Sequence, residues 1–210
     1  MINILIADDY PVVRAGLKQI LQETTDIRIM AEADHAQAVL DEAANHPIHV
    51  VLLDLSMPGR SGMDVLQDLK RLFPDIRVLV LSIYPEDQYA VRVLKAGADG
   101  YMNKDSVPDE LINAVRKVSV GGRYVSPSLA EKLASDLQES RHGDLHEKLS
   151  NREYQVLCWM ASGKTVKEIA DELHLSLKTI STYRARILEK MHLRNNAELI
   201  HYAVTKRLVI

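Results

Sequence analysis

Through its first 120 residues the chain alternates short apolar runs with amphipathic stretches. Ile2–Ala7, 50–53 and Arg77–Ser82 are nearly unbroken apolar runs of strand length, the pattern of strands covered on both faces in a parallel sheet. Residues 28–33 and 100–102 repeat it in weaker form. Between these runs, Val12, Val13, Leu17, Ile20 and Leu21 recur at helical spacing behind Pro11, a residue suited to a first helical turn. Residues 36–44, 63–72, 88–96 and 107–118 carry the same period. Five strand–helix units predict a doubly wound α/β domain with a five-stranded parallel sheet.

The pattern changes after residue 120. Gly121-Gly122 ends the last of these helices, and Ser126-Pro127 reads as a cap and first-turn proline for a short helix with Leu129, Leu133 and Leu137 on one face. Residues 138–147 are polar and read as a tether. Helix starts then become frequent. Ser150-Asn-Arg-Glu153, Thr165-Val-Lys-Glu168 and Asn195-Asn-Ala-Glu198 each fit the reciprocal cap-x-x-Glu arrangement, and Ser176 can cap another helix. Four short helices without a strand signal predict a compact all-α domain. Its core would comprise Val156, Leu157, Met160, Ile169, Ala170, Leu173, Ile180, Ile187, Leu188 and Leu199, with Trp159 packed rather than reactive. The pair 165–173 and 176–190 has helix-turn-helix spacing. On its second helix Ile180, Ile187, Leu188 and Met191 share one face. Lys178, Ser181, Thr182 and Ala185 lie opposite, flanked by Arg184 and Arg186. Short polar side chains among bases suit a helix in a DNA major groove, although a merely solvated face would show the same charges.

Composition adds limits. The chain has 210 residues, 47% hydrophobic and 26% charged, ordinary for a globular protein and enough for two small domains. No apolar run approaches the roughly 20 residues of a membrane helix. The N-terminus lacks a basic segment and reaches two carboxylates by Asp9, unlike a signal peptide. One cysteine, Cys158, excludes an internal disulfide and a cysteine zinc cage. A cytoplasmic protein without membrane partners is expected. The net charge of −3 conceals an asymmetry: from Leu145 onward there are 11 Lys and Arg against 7 Asp and Glu, a surplus of +4, which leaves −7 on the remainder. A basic terminal domain is compatible with nucleic acid.

The polar residues at the predicted strand ends suggest chemistry. Asp8 and Asp9 follow the first strand, Asp54 the third, Ser82 closes the fourth and Lys104 follows the fifth. Ligands of such sheets sit beyond the carboxyl ends of the strands. A single Asp in that position is ordinarily a turn or cap residue, but five such groups on one rim make a site. Crowded carboxylates repel, and a hard cation with oxygen ligands, Mg²⁺, relieves them. A metal and an ammonium beside a carboxylate can receive a phosphoryl group. The Pro58-Gly59 turn beyond Asp54 would let a backbone carbonyl, that of Ser56, face the metal.

Residues 1–120 resemble the receiver domain of two-component response regulators. The matching pieces are Ala7-Asp8-Asp9, Leu53-Asp54-Leu-Ser-Met-Pro-Gly59, Leu81-Ser82 and Gly97-Ala-Asp-Gly100-Tyr-Met-Asn-Lys104. The resemblance implies a flavodoxin-like strand order 2-1-3-4-5. It also implies phosphorylation of Asp54 by a sensor histidine kinase, and Mg²⁺ held by Asp9, Asp54 and the Ser56 carbonyl with Asp8 acting through water. Lys104 would pair with the phosphoryl group, and Ser82 and Tyr101 would act as the switch hydroxyl and aromatic. Asp105 stands where many receivers have proline, and Tyr10 where this subfamily usually has histidine.

Residues 148–204 are similar to the LuxR-type output domain, through Leu149-Ser-Asn-Arg-Glu153, Val156-Leu157, Gly163, Lys167-Glu-Ile-Ala170, Leu175-Ser-Leu-Lys-Thr-Ile180 and Leu188-Glu-Lys-Met191. The two together resemble the NarL/FixJ family: a receiver at 1–120, a linker with a short helix at 121–147 and a four-helix LuxR-type helix-turn-helix domain at 148–210. By position Ser181, Thr182 and Ala185 would face base edges, and Lys178, Thr179, Tyr183 and Arg186 the DNA backbone. The helix from Asn196 would serve a homodimer on promoter DNA. Such a chain is a regulator whose only catalysis is its own phosphorylation and dephosphorylation. Two other readings use parts of the pattern. One is an aspartate-nucleophile phosphohydrolase, which would need a second acid where Ser56 stands. The other is a regulator whose helix-turn-helix serves only protein contacts.

Overall fold

The structure, a computed structural model, describes residues 1–57, 60–83, 86–131, 144–206 and 208–209. Leu133, Leu137, Pro58, Gly59 and most of the expected tether lie outside the described residues. The chain divides into two compact units, Met1–Leu133 and Ala134–Ile210. Among the described residues no helix is long and apolar enough to cross a membrane.

The first unit alternates β1 (Ile2–Ala7), α1 (Pro11–Gln22), β2 (Ile27–Ala33), α2 (Ala36–Asn45), β3 (Val50–Asp54), α3 (Gly62–Leu72), β4 (Arg77–Ser82), α4 (Glu86–Lys95), β5 (Gly100–Asn103) and α5 (Val107–Ser119). The strands form one parallel sheet in the order β2-β1-β3-β4-β5, as the resemblance implied. All five residues of β3 are buried, which explains its unbroken apolar run: helices cover both faces. Ile4, Ile6, Val50, Leu52, Leu79 and Leu81 pack on one face with Leu17 and Leu21 of α1 and Leu111 and Val115 of α5. The alternate residues Leu5, Val51, Leu53, Val78 and Val80 are equally inaccessible, on the side that α2, α3 and α4 close. Element ends differ from the sequence expectation by one or two residues, where backbone pairing rather than hydropathy sets the limit.

Register decides where the polar residues go. Ala7 lies beside Leu53, Asp54 beside Leu81 and Ser82 beside Asn103. Asp8, Asp54, Ser82 and Lys104 therefore leave the sheet at one rim.

The stretch after α5 stays with the first unit. Tyr124 forms a parallel bridge with Gly100, accepting from the Tyr101 amide at 3.1 Å and donating to the Asp99 carbonyl at 2.9 Å. A Cβ on Gly100 would stand 2.9 Å from the Tyr124 carbonyl oxygen, so only glycine permits this approach. Ser126 donates to Glu86, the first residue of α4, and its hydroxyl accepts from the Leu129 amide at 3.1 Å. Helical backbone begins at Pro127, as the cap predicted, and is described to 131.

The second unit has a 3₁₀ turn (Leu145–Lys148) and helices α6 (Asn151–Ala161), α7 (Val166–Glu172), α8 (Leu177–Lys190) and α9 (Asn196–Thr205). Ser150 with Glu153 and Thr165 with Glu168 form complete capping boxes, and Ser176 caps α8 through the Thr179 amide. The third expected box is half made: Asn195 caps α9, but the Glu198 carboxylate accepts from the Arg194 amide instead, at 2.7 Å. Gly163, His174 and His192 adopt positive φ after α6, α7 and α8, the left-handed stop that frees the last carbonyls to be capped. The expected core residues are buried except Leu188, which is partly exposed. Trp159 is buried, with the Lys164 ammonium 4.5 Å from its ring centre.

Candidate functional site

The rim residues converge. Ligand-type oxygens of Asp8, Asp9 and Asp54 all lie within 4.8 Å of one another. Lys104 Nζ donates to Asp8 Oδ2 at 2.6 Å and stands 3.3 Å from Asp54 Oδ1. Asp8 and Asp54 are both 1% exposed, whereas the Lys104 side chain keeps some contact with solvent. Neither Asp54 oxygen takes part in a well-formed hydrogen bond among the described residues, and the Ser56 amide lowers the pKa less than Lys104 does. Burial pushes the Asp54 carboxyl up to about 6. Lys104 opposes that rise and Asp8 adds to it. Burial by itself would lower the Lys104 pKa, but Asp54 and Asp8 outweigh it and hold the ammonium above its ordinary value.

Three clustered carboxylates, one with buried oxygens lacking good donors, are the all-oxygen donor set that a hard divalent cation takes. The same electrostatics would receive a phosphoryl group, whose oxygens need the nearby ammonium.

Local structure holds this geometry. Asp8 Oδ1 accepts from the Tyr10 amide at 2.9 Å, and the Asp8 amide donates to the Ala33 carbonyl at 3.0 Å. Gly62 is the first residue of α3, and a Cβ there would lie 2.6 Å from the Asp54 carbonyl oxygen and 2.5 Å from Leu55 Cα. Glycine thus lets α3 press on the backbone that carries Asp54. The loop after β5 does not depend on the proline that Asp105 replaces: Asn103 Oδ1 accepts from the Asp105 amide at 2.9 Å and caps a 3₁₀ turn over Lys104–Ser106. Ser82 and Tyr101 are fully buried, at the end of β4 and within β5. Tyr101 already lies inward, beside its backbone tie to Tyr124.

In the second unit Lys178, Ser181, Thr182, Ala185 and Arg186 of α8 are exposed, and Thr179 and Tyr183 are half-buried. Thr179 is tied to the cap, its hydroxyl 2.8 Å from that of Ser176. Thr182 donates back to the Lys178 carbonyl at 2.9 Å, which leaves its hydroxyl oxygen free to accept. Arg184 is turned to another task. Its Nε donates to Asn196 Oδ1 at 2.6 Å, joining α8 to the first residue of α9. At the far end of α8, Lys190 reaches the buried Glu153 at 2.6 Å. Burial would raise the Glu153 pKa, but Lys190 and the Ser150 cap keep it below the usual carboxylate range.

Sequence reasoning missed Arg14, Gly62, Asn103 and the Arg184–Asn196 pair. The Asn103 cap had a signal, an Asn two residues before an acid in a turn. The others join residues six to twelve positions apart whose meeting is set by how the helices pack, and had none.

Comparison with known proteins identifies both units. Residues 4–116 match the response regulator receiver domain family, and residues 147–203 match the bacterial regulatory proteins of the luxR family. Response regulator GacA of Pseudomonas aeruginosa is 37% identical over 210 residues, spanning 100% of this chain and 98% of GacA. Response regulator UvrY of Escherichia coli is 33% identical over 205 residues, 97% of this chain and 94% of UvrY. Among solved structures, RcsB of Salmonella enterica serovar Typhimurium, bound to promoter rprA in the presence of phosphomimetic BeF₃⁻, superposes with a TM-score of 0.64 at 29% identity. The match covers 98% of this chain and 100% of that one. The chain belongs to the NarL/FixJ family of response regulators, in which a receiver domain is joined to a luxR-type regulatory domain.

Proposed function

We propose that this response regulator takes a phosphoryl group on Asp54 from a sensor histidine kinase and thereby controls promoter binding by its C-terminal domain. The observation that carries the reading is the meeting of Asp8, Asp9, Asp54 and Lys104 at one rim. An Asp54 oxygen attacks phosphorus, the bond from phosphorus to the donor imidazole breaks, and the imidazole leaves with its electron pair. Lys104 offsets charge on the phosphoryl oxygens, and the Ser82 hydroxyl donates to one of them. Asp8, Asp9, Asp54 and the Ser56 carbonyl would hold Mg²⁺, which supplies charge neutralisation at the phosphoryl oxygens when bound. Tyr101 would report the state of the site through its place in β5. Catalysis is limited to the chain's own phosphorylation and dephosphorylation.

For output, Ser181, Thr182 and Ala185 would read base edges, with Lys178, Thr179, Tyr183 and Arg186 on the backbone. The exposure of Lys178, Ser181, Thr182, Ala185 and Arg186 on α8 supports that assignment, and Thr179 and Tyr183 are half-buried beside them. The DNA-bound state of RcsB in the presence of a phosphoryl mimic supports the same coupling. A homodimer formed on phosphorylation or on DNA would set two such helices about one DNA turn apart. The domains implied are a receiver over 1–120, a linker over 121–147 and an output domain over 148–210, in a cytoplasmic protein.

The test is labelling by acetyl phosphate with Mg²⁺. Wild type should acquire acid-stable, hydroxylamine-labile phosphate, and Asp54→Asn should acquire none while its circular dichroism is unchanged. Persistent labelling of the variant would refute the assignment.

A further inference from the structure

Asp8 of the acidic rim is held on several sides. Its amide donates to Ala33 in β2, and its two carboxylate oxygens accept from the Tyr10 amide and from Lys104. That leaves its peptide carbonyl, which needs a donor. Arg14, one turn into α1, supplies it: Nη1 donates to the Asp8 carbonyl at 2.7 Å. The guanidinium is itself fixed, because Nε donates to Glu32 Oε2 at 3.2 Å, and Glu32 also accepts from Lys18 at 2.7 Å. Lys18 foremost, with Arg14, holds the Glu32 carboxyl below its usual range. The Arg14 side chain is only 16% exposed, so this is a seated contact.

We propose that Arg14, oriented by Glu32, is a positioning residue for the acidic site: it fixes the Asp8 peptide and so sets where the Asp8 carboxylate sits for the cation. This rests on the reading of the rim as a Mg²⁺-dependent phosphoacceptor site. The physical ground is rigidity. Asp8 must hold a carboxylate beside Asp54 against mutual repulsion, and a residue just past a strand end can rotate about its φ and ψ unless the peptides on both sides of it are tied. Ala33 ties one side and Arg14 the other. Arg14 touches the carbonyl and no carboxylate of the cluster, so its effect passes through backbone.

The experiment measures Mg²⁺ binding to the full chain by calorimetry, and labelling by acetyl phosphate across a Mg²⁺ series. It compares wild type, Arg14→Ala, Arg14→Lys and Glu32→Gln, with folding checked by circular dichroism. Removing a partner in the outer shell of a metal site typically weakens affinity by about tenfold or more. Arg14→Ala should therefore need about tenfold more Mg²⁺ for half-saturation in both assays, while labelling at saturating Mg²⁺ returns close to wild type. Arg14→Lys, which keeps a cationic donor, should recover most of the loss, and Glu32→Gln should fall between. Unchanged Mg²⁺ binding in Arg14→Ala and Glu32→Gln overturns the proposal and leaves the Asp54 assignment standing. Normal Mg²⁺ binding with labelling lost at saturation also overturns it, because Arg14 would then act on the phosphoryl donor. Failure of wild type to bind Mg²⁺ or take label overturns both readings. Should Arg14→Ala fail to fold, the lysine and Glu32 variants decide the matter alone.

Discussion

Asp54 is held in a place where its charge is costly, and that cost is measurable. Burial raises its pKa to about 6 from an ordinary 3.8. The folded chain therefore binds this proton more tightly than the unfolded one, so the group favours folding below about pH 4. That contribution is lost as pH rises through about 6. A shift of this size corresponds to roughly 3 kcal/mol at neutral pH. In EDTA, Asp54→Asn should become more stable than wild type by up to that amount between about pH 4 and pH 7.5, since Lys104 keeps Asp8 as a partner. Urea unfolding followed by circular dichroism checks it, and a pH-independent difference would contradict the raised pKa. Asp8, Asp9, Asp54 and Lys104 were legible in the sequence because each lies within two residues of the end of an apolar run of strand length. That crowded carboxylates raise one another's pKa was legible too; that burial is the larger cause at Asp54 was not, since it depends on how little solvent reaches that position.

At the scale of elements, the site depends on close backbone approaches. Gly62 opens α3 against the Asp54–Leu55 peptide, where a Cβ would meet main-chain atoms at 2.5 and 2.6 Å. No flexible side chain can yield there, so α3 or the Asp54 loop must move. Gly62→Ala should destabilise the first unit by about 1–3 kcal/mol and slow acetyl phosphate labelling. Chemical denaturation and labelling rates measure both, and a variant normal in both would show that the loop relaxes freely. The strap of residues after α5 has the same character. Gly100 admits Tyr124, Tyr124 OH meets Glu110, and Ser126 meets Glu86. Residues from α4 and α5 are thus tied to the start of the connecting segment. The Ser126 cap is legible in the sequence because capping is local, whereas the residues before it carry only a linker-like pattern. The pairing of Tyr124 with β5 is contributed by residues more than 20 positions apart. By contrast, the helix starts at Ser150, Thr165 and Ser176 were readable because cap and partner lie within one turn.

For the whole molecule, the separation of charge matches a division of work: an acidic receiver followed by a basic helical domain. If α8 meets phosphates through Lys178 and Arg186, binding releases counterions. Each Ala substitution should then lower affinity by a similar factor on all DNA sequences and reduce the slope of log affinity against log salt by about 0.9. Fluorescence anisotropy on promoter and random duplexes across a salt series measures this. An unchanged slope would remove that residue from the phosphate contacts. Ser181→Ala and Thr182→Ala should instead alter preference among sequences with little change in slope. The lone tryptophan, Trp159, lies buried in the second unit, so its fluorescence follows the output domain's unfolding separately from the receiver's.

By itself the sequence determined the α/β and all-α halves, the strands and helices within a residue or two, the caps, and the acids and lysine of the rim. These are written in local hydrophobic period, in turn chemistry and in motifs of a few residues. Only the tertiary structure decided how the rim is held: the register that sets Asp54 beside Asp8, the Arg14 grip on the Asp8 carbonyl, the glycine contacts at positions 62 and 100, and Arg184 turned to Asn196 rather than outward. Each of these joins chain segments brought together by packing, and no local pattern can specify a contact whose partner is fixed by the fold.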